Sequence, residues 1–420
     1  MPATHWQPIA DGNLGKSAME AVRFIAKELR RAGVRDYSLA SGNAGIALLF
    51  GYLAQAEPDS GHEDAACHCL KRAIDALAKS RAPLSFFSGF SGVGWSILHL
   101  KRLLAIPGAY LNADIDRLLA SILKENPWRE EFDLVSGLVG VGVYALEALP
   151  RSSGTALLRR IVNHLADAAE QNRLGYTWRM SARFLNRERR RLNPKGCYDL
   201  GLAHGVPGIV AFLAQAAAVT HDDRTKRKAQ RLVKGAVSWL LAQKLPARSG
   251  SMFPFSVGVK PAEPRDPARL AWCYGDLGIA TALLSAGRIL NRSDWTAEAL
   301  KIASHAAKRS FKQSGVRDTG LCHGAAGVAH LFNRLYQTSG APPLRDAARS
   351  WLKRAIRMRV PNERVAGFPA RHYTESAGFH WRSDPGLLNG ATGVALALLS
   401  AATPVRPDWD RALLFSAVDR

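Results

Sequence analysis

Acidic residues are in short supply in this chain. Thirty-five Asp and Glu face 57 Lys and Arg over 420 residues, which leaves a formal net charge of +22. Such a field favours anionic partners, but the cations are spread along the chain and no RNA-module or DNA-binding signature accompanies them, so nucleic acid is not the expected partner. Cysteine is scarce and odd in number: Cys67, Cys69, Cys197, Cys273 and Cys322. Five cysteines so placed imply no disulfide framework, and in a reducing compartment metal binding or catalysis is their better use. Uninterrupted apolar runs of the ~18 residues needed for a membrane span are missing. The start, Met1-Pro-Ala-Thr-His-Trp6, has neither the basic opening nor the apolar stretch of a secretion signal. These absences lead to the expectation of a cytoplasmic protein without stable membrane insertion. The local zinc signatures C-x-x-C and H-E-x-x-H are also absent. Gly89-Phe-Ser-Gly-Val-Gly94 lacks the Lys-Ser/Thr ending of a phosphate loop.

What the chain does have is a G-x-x-G signature seven times over, led by Gly42, Gly89, Gly137, Gly205, Gly275, Gly324 and Gly390. Successive leading glycines are 47, 48, 68, 70, 49 and 66 residues apart. Self-similarity at that period is the mark of a repeat architecture. Each signature is followed by a run apolar on nearly every face, such as Ile279-Ala-Thr-Ala-Leu-Leu-Ser-Ala286, and a helix without a polar face must be buried all round. Each is preceded by an amphipathic segment. Ala18, Val22, Ile25 and Leu29 form the stripe in the first unit, Leu70, Ile74 and Leu77 in the second, and Leu232, Ala236, Val237, Leu240 and Leu241 in the fifth. Seven buried helices alternating with seven half-exposed ones predict an all-α, α/α toroid. It would be a double ring of seven inner and seven outer helices, forming one domain over residues 1–420. Three units are about 20 residues longer, placing insertions near 173–199, 245–267 and 362–385. The first carries Arg179, Arg183, Arg187, Arg189, Arg190, Arg191 and Lys195 against only Glu188 and Asp199, a composition suited to a solvated basic loop or to an acidic peptide.

Aligning the repeats on the leading glycine puts chemistry in register. His204, Tyr274 and His323 stand one residue before it; Cys273 and Cys322 stand two before. Equivalent positions in a closed ring converge, so Cys273, Cys322 and His323 are expected to gather into a zinc site with an open fourth position. Two thiolates blunt the metal's Lewis acidity and suit it to binding a third sulfur. A bound thiol is deprotonated, yet stays electron-rich because the protein thiolates already offset the metal charge. The expected chemistry is thiol addition. Paired carboxylates of the kind glycosidases need are missing from these positions. Cys67, His68 and Cys69 lie within an outer helix, where neighbours two apart do not share a face, and are read as structural. Cys197 has no register partner, and His372 and His380 fall in the last insertion.

Ala271-Trp-Cys-Tyr-Gly275, Leu321-Cys-His-Gly324, Gly201-Leu-Ala-His-Gly205 and Phe132-Asp-Leu-Val-Ser-Gly137 resemble the corresponding segments of the lanthionine synthetase C family, the LanC-type lanthipeptide cyclases. The similarity runs through all seven repeats. It implies an α/α toroid with central zinc on Cys273, Cys322 and His323. It implies addition of a precursor-peptide cysteine thiol to dehydroalanine or dehydrobutyrine, closing a (methyl)lanthionine thioether ring in lantibiotic-type lanthipeptide biosynthesis. Carried over by motif, His204 acts as general acid or base, and Tyr274 and Asp133 line the site. Arg269 matches an arginine near the active site. The addition leaves an enolate that must be protonated, a task that fits histidine. Asp133 is expected to orient His204, and Arg269 to stabilise the enolate oxygen or hold Asp133. The chain has no segment suited to dehydration, so the dehydrated precursor peptide is expected to arrive from a separate dehydratase, with a peptide transporter as a further candidate partner and membrane association through that complex. Two alternatives remain at this stage: a related enzyme adding a small thiol such as glutathione to dehydrated protein residues, and a non-catalytic toroid with zinc as a structural staple.

Overall fold

The computed structural model describes residues 6–259, 265–360, 365–374 and 378–416. By the density of contacts the chain divides into two compact units. Met1–Pro83, Phe87–Leu111 and Val316–Asp410 form the first; Leu84–Phe86, Asn112–Gly315 and Arg411–Arg420 form the second.

Every G-x-x-G signature opens a helix, and in each the leading glycine is the residue just outside the first turn. In the first unit these helices are Asn43–Ala56, Phe90–Leu103, Ala325–Ser339 and Ala391–Ala402. The Ala325 helix packs on the Ala391 helix, that one on the Asn43 helix, and the Asn43 helix on the Phe90 helix. In the second unit they are Leu138–Glu147, Val206–Val219 and Asp276–Ile289, with Val206–Val219 packed between the other two. Their burial is nearly continuous: all residues from Asn43 to Leu53, and from Val206 to Ala217, are buried. Each fully buried Leu, Ile, Val or Phe contributes about 1.5–3 kcal/mol, and these helices place such side chains on every face.

The flanking helices read as the amphipathic pattern predicts. Gly12–Arg31, His62–Ala78 and Pro342–Arg357 belong to the first unit; Ala113–Ile122, Ser152–Asp167, Asp223–Leu241 and Ser293–Ala307 belong to the second. Ala18, Val22, Ile25 and Leu29 are buried as a stripe, as are Leu232, Ala236, Val237 and Leu240. In the His62 helix Leu70 is buried, while Ile74 and Leu77 are half-buried.

The loop before each signature explains why the signature exists. No side chain caps these helices. Instead the first helical N–H donates to the carbonyl seven residues earlier: Asn43 to Asp36, Leu138 to Glu131, Ala325 to Asp318, Ala391 to Asp384. Folding the loop back so tightly brings backbone over both glycines. A Cβ on Gly205 would lie 1.9 Å from the Asp199 carbonyl oxygen, and one on Gly327 1.8 Å from that of Leu321. Only glycine admits such an approach.

Backbone hydrogen bonds then tie one pre-glycine loop to the next. In the first unit Cys322 N–H donates to Leu388, Leu387 to Ala40, and Ala40 to Phe87. In the second, Phe86 donates to Val135, Leu134 to Ala203, and Ala203 to Cys273. The residues just before each glycine are thereby held in register.

The insertions are more ordered than the sequence implies. Glu170–Asn172 and Gly175–Thr177 form a hairpin that runs into the first insertion, followed by the helix Arg187–Leu192 and the strand Cys197–Asp199. That strand pairs antiparallel with Ser256–Gly258 of the second insertion, joining the two. In the third, Pro369–Thr374 pairs with Gly378–Ser383 and sets His372 opposite His380. Strands of three to six residues carry too little alternation to be read from sequence. The parts of these insertions at 260–264, 362–364 and 375–377 lie outside the described residues.

Candidate metal and acid–base site

His204 sits in the loop before the Val206–Val219 helix, and Asp133 in the loop before the Leu138–Glu147 helix. The Leu134–Ala203 backbone bond holds these loops together. Asp133 is buried, and its carboxylate does two things. Oδ1 accepts from the Ser136 backbone N–H, fixing its own turn, and Oδ2 meets His204 Nδ1 at 2.7 Å. The structure thus places Asp133 in direct contact with the His204 ring. Burial disfavours the imidazolium, but the Asp133 hydrogen bond and charge outweigh it, with help from Cys273 and Asp199, so the His204 pKa stands at about 9. The His204 side chain remains 33% exposed.

Tyr274 lies with its ring centroid 5.5 Å from that of His204, at an interplanar angle of 23°. Its other neighbour is Phe255, at 3.9 Å between centroids. Burial, reinforced by Asp199, pushes the phenol well above its ordinary range, so Tyr274 is a neutral hydrogen-bonding group. Arg269 stands beside Cys273 and not beside Asp133. Its Nη2 lies 3.9 Å from Cys273 Sγ, and among the described residues it makes no contact with Asp133. Arg269 and Cys273 lie in the same non-helical loop before the Asp276–Ile289 helix, and the guanidinium faces the thiol.

The ligand atoms of Cys273, Cys322 and His323 all lie within 4.8 Å of one another, the one such group of three or more His, Cys, Asp or Glu among the described residues. A tetrahedral zinc with Zn–S near ~2.3 Å holds its ligand atoms about 3.7 Å apart, so small side-chain adjustments suffice. Two thiols and an imidazole are a borderline-soft donor set suited to zinc. His323 Nε2 also lies 3.4 Å from Asp318 Oδ2, the carboxylate–histidine pairing that commonly orients a metal-binding imidazole.

Sequence reasoning missed two acids. Asp318 contacts His323, and Asp199 lies beside Tyr274 with its Oδ2 3.5 Å from the phenol oxygen. Both stand six residues before a leading glycine, as do Asp36, Glu131 and Asp384. That register was available and would have found them. Asp384 in turn holds His372, with Nε2 to Oδ2 at 2.9 Å. Cys67 and Cys69 stay outside the site, and burial pushes the Cys69 thiol up to about 11, the behaviour of an inert thiol.

A family model described as "Lanthionine synthetase C-like protein" matches residues 33–414. The chain belongs to that family. Among curated relatives of this LanC-like protein is the "Nisin biosynthesis protein NisC" of Lactococcus lactis subsp. lactis, 24% identical over 324 residues, covering 72% of this chain and 75% of that one. Another is "Glutathione S-transferase LANCL1" of Danio rerio, 33% identical over 143 residues, or 34% of this chain and 32% of the relative. A solved structure titled "Nisin cyclase" matches with a TM-score of 0.72 at 20% identity, covering 96% of this chain and 98% of that one. The fold is therefore the α/α toroid that the repeats predict. No helix among the described residues of the LanC-like chain is long and apolar enough to cross a membrane.

Proposed function

We propose that the protein is a zinc-dependent lanthipeptide cyclase, acting as one domain over residues 1–420. It would catalyse intramolecular Michael addition of peptide cysteine thiols to dehydroalanine or dehydrobutyrine. The observation that carries this reading is the close approach of Cys273, Cys322 and His323 ligand atoms, joined to a histidine whose Nδ1 is taken by a buried carboxylate.

Zinc held by Cys273, Cys322 and His323 would supply a bound, deprotonated and still nucleophilic substrate thiolate. The substrate sulfur forms a bond to the β-carbon, and the C=C electron pair moves towards the α-carbon and its carbonyl oxygen. His204 donates from Nε2 to the α-carbon, while Asp133 at Nδ1 stabilises the imidazolium beforehand and fixes the neutral tautomer afterwards. The proton released from the substrate thiol restores His204, so the reaction is an isomerisation with no oxidant or co-substrate. Arg269 places its guanidinium against the Cys273 sulfur, and Tyr274 bounds one face of the imidazole. The substrate class requires a prior dehydration, which we assign to a separate dehydratase; a peptide transporter, a cytoplasmic location and peripheral membrane association through such a complex belong to the same proposal.

Incubation with a dehydrated, cysteine-containing peptide tests the reading. Ring closure leaves the mass unchanged, so it is read as loss of alkylatable thiol with no thiol added. The similarity to a glutathione S-transferase over 143 residues favours a second reading, addition of a small thiol to dehydrated residues. That reaction would appear as a mass increase only when glutathione is supplied. Tight zinc binding with neither product would leave a structural staple and sink both.

A further inference from the structure

The first insertion carries eight cations, and all but one of them, among them Arg179, Arg183, Arg187, Arg190, Arg191 and Lys195, are exposed. Arg189 is different. It turns inward from the short Arg187–Leu192 helix, whose Asn186 cap accepts from the Arg189 backbone N–H. Its Nη2 forms an ion pair with the buried carboxylate of Asp199 and lies 3.3 Å from the buried Cys197 sulfur. Its Nη1 lies 3.5 Å from the Tyr274 hydroxyl, and the guanidinium sits 5.0 Å over the Phe255 ring. Asp199 Oδ2 in turn lies 3.5 Å from the Tyr274 hydroxyl. The phenol oxygen therefore has a donor on one side and an acceptor on the other, both supplied by a single ion pair.

The strand register builds this arrangement. Asp199 pairs with Ser256, so Phe255 is delivered beside Asp199 and against Tyr274. Tyr274 is held between Phe255 and the His204 imidazole. Asp133 fixes His204 at Nδ1, but a single hydrogen bond leaves the ring free to swing about it. The Tyr274 ring face removes that freedom.

We infer that Arg189 and Asp199 are positioning residues of the acid–base site: together they fix the Tyr274 ring, and through it the plane in which His204 presents Nε2. The first insertion then serves as a wall of the site as well as a basic surface. This inference rests on the cyclase reading for its kinetic consequence and on the geometry alone for its structural one.

Arg189→Met keeps the length of the side chain and removes its charge. The expected result is a fall in kcat of roughly 10- to 100-fold, the range for outer-shell and sub-ångström misplacement effects, with KM and zinc content unchanged. Arg189→Lys restores the charge beside Asp199 without the planar fork and should recover part of the loss. The deciding measurement is a double-mutant cycle. If Arg189 acts through Tyr274, Arg189→Met has no further effect on kcat in a Tyr274→Phe background that has lost the bridged hydroxyl. Should the single variant fail to fold because Asp199 is left buried and unpaired, Arg189→Met with Asp199→Asn removes both charges and is measured the same way. Full activity in these variants, or effects that add to Tyr274→Phe, would overturn the inference. A second readout needs no turnover: the side-chain ¹⁵N signals of His204, assigned with His204→Asn, should shift or broaden in Arg189→Met. Unmoved signals would also overturn it. An inactive wild-type protein whose His204 signals still respond would sink the cyclase reading and leave this one standing.

Discussion

At the scale of single residues, the candidate site separates a soft donor set that could hold a metal from a histidine–carboxylate pair. Cys273→Ala removes one of two thiolates, and a site with one thiol and one imidazole binds zinc far more weakly. We expect reduced zinc content by elemental analysis and no ring closure; cyclisation by this variant would refute the metal assignment. His204 makes a different prediction. His204→Asn should retain zinc while turnover falls about 100-fold or more, as expected for loss of a general acid. Its pH dependence follows from the Asp133 pair. The protonated imidazole is the donor, and its value of about 9 keeps it charged through neutral pH, so kcat should decline only as pH rises through that value. Asp133→Asn removes the carboxylate that outweighs burial. The decline should then begin below the ordinary histidine value near ~6.5. The same linkage acts on stability: the raised value stabilises the fold fully below about 6.5 and is lost as pH rises through about 9. A kcat profile identical in the two proteins would contradict this.

At the scale of elements, the recurring unit is a loop folded back on the start of a buried helix. Both glycines of the signature are required by the backbone that crosses them. At Gly140 an added Cβ would sit 2.5 Å from the Leu134 carbonyl oxygen and 2.5 Å from Phe86 Cβ, neither of which is a flexible side-chain end. Gly140→Ala should therefore cost about 1–3 kcal/mol, as overpacking of a close-packed core does. A lowered urea midpoint with unchanged zinc content would show it, and an unchanged midpoint would show that the loop relaxes. The loop also places the acid six residues before the glycine, where a carboxylate accepts the N–H two residues on: Asp36 from Ser38, Asp318 from Gly320, Asp384 from Gly386. Its remaining oxygen is then turned to neighbours such as His323 or His372. One residue type at one register thus serves the turn and the site together.

At the scale of the whole molecule, charge is the dominant property. A net charge of +22 should draw an anionic peptide from a distance, and that attraction is screened as the Debye length shrinks from ~8 Å at physiological salt to ~3 Å at 1 M. For a dehydrated peptide bearing an acidic segment, KM should rise with added KCl while kcat holds. A neutral peptide of the same ring-forming sequence should be indifferent. Equal salt sensitivity for both would remove the basic surface from substrate capture.

How much could be read before folding depends on range along the chain. The helices and their burial follow from apolar periodicity within 10 to 20 residues, a local property. The grouping of Cys273 with Cys322 and His323 was legible because a repeat converts distance along the chain into equivalent position. His204 and Asp133 were legible as motif residues, and their 2.7 Å contact is what the structure adds. Arg189 was not legible. It is one cation among eight in a segment without periodicity, and only the pairing of Cys197–Asp199 with Ser256–Gly258 shows that its partner Asp199 is buried beside Tyr274. The amino-acid order alone determined the repeat, its helices and the Cys273, Cys322 and His323 grouping, because each is encoded by spacing. Which charged groups leave water to stand behind His204 and Tyr274 was decided by tertiary structure, because burial of an ion pair depends on segments that meet only when the chain has folded.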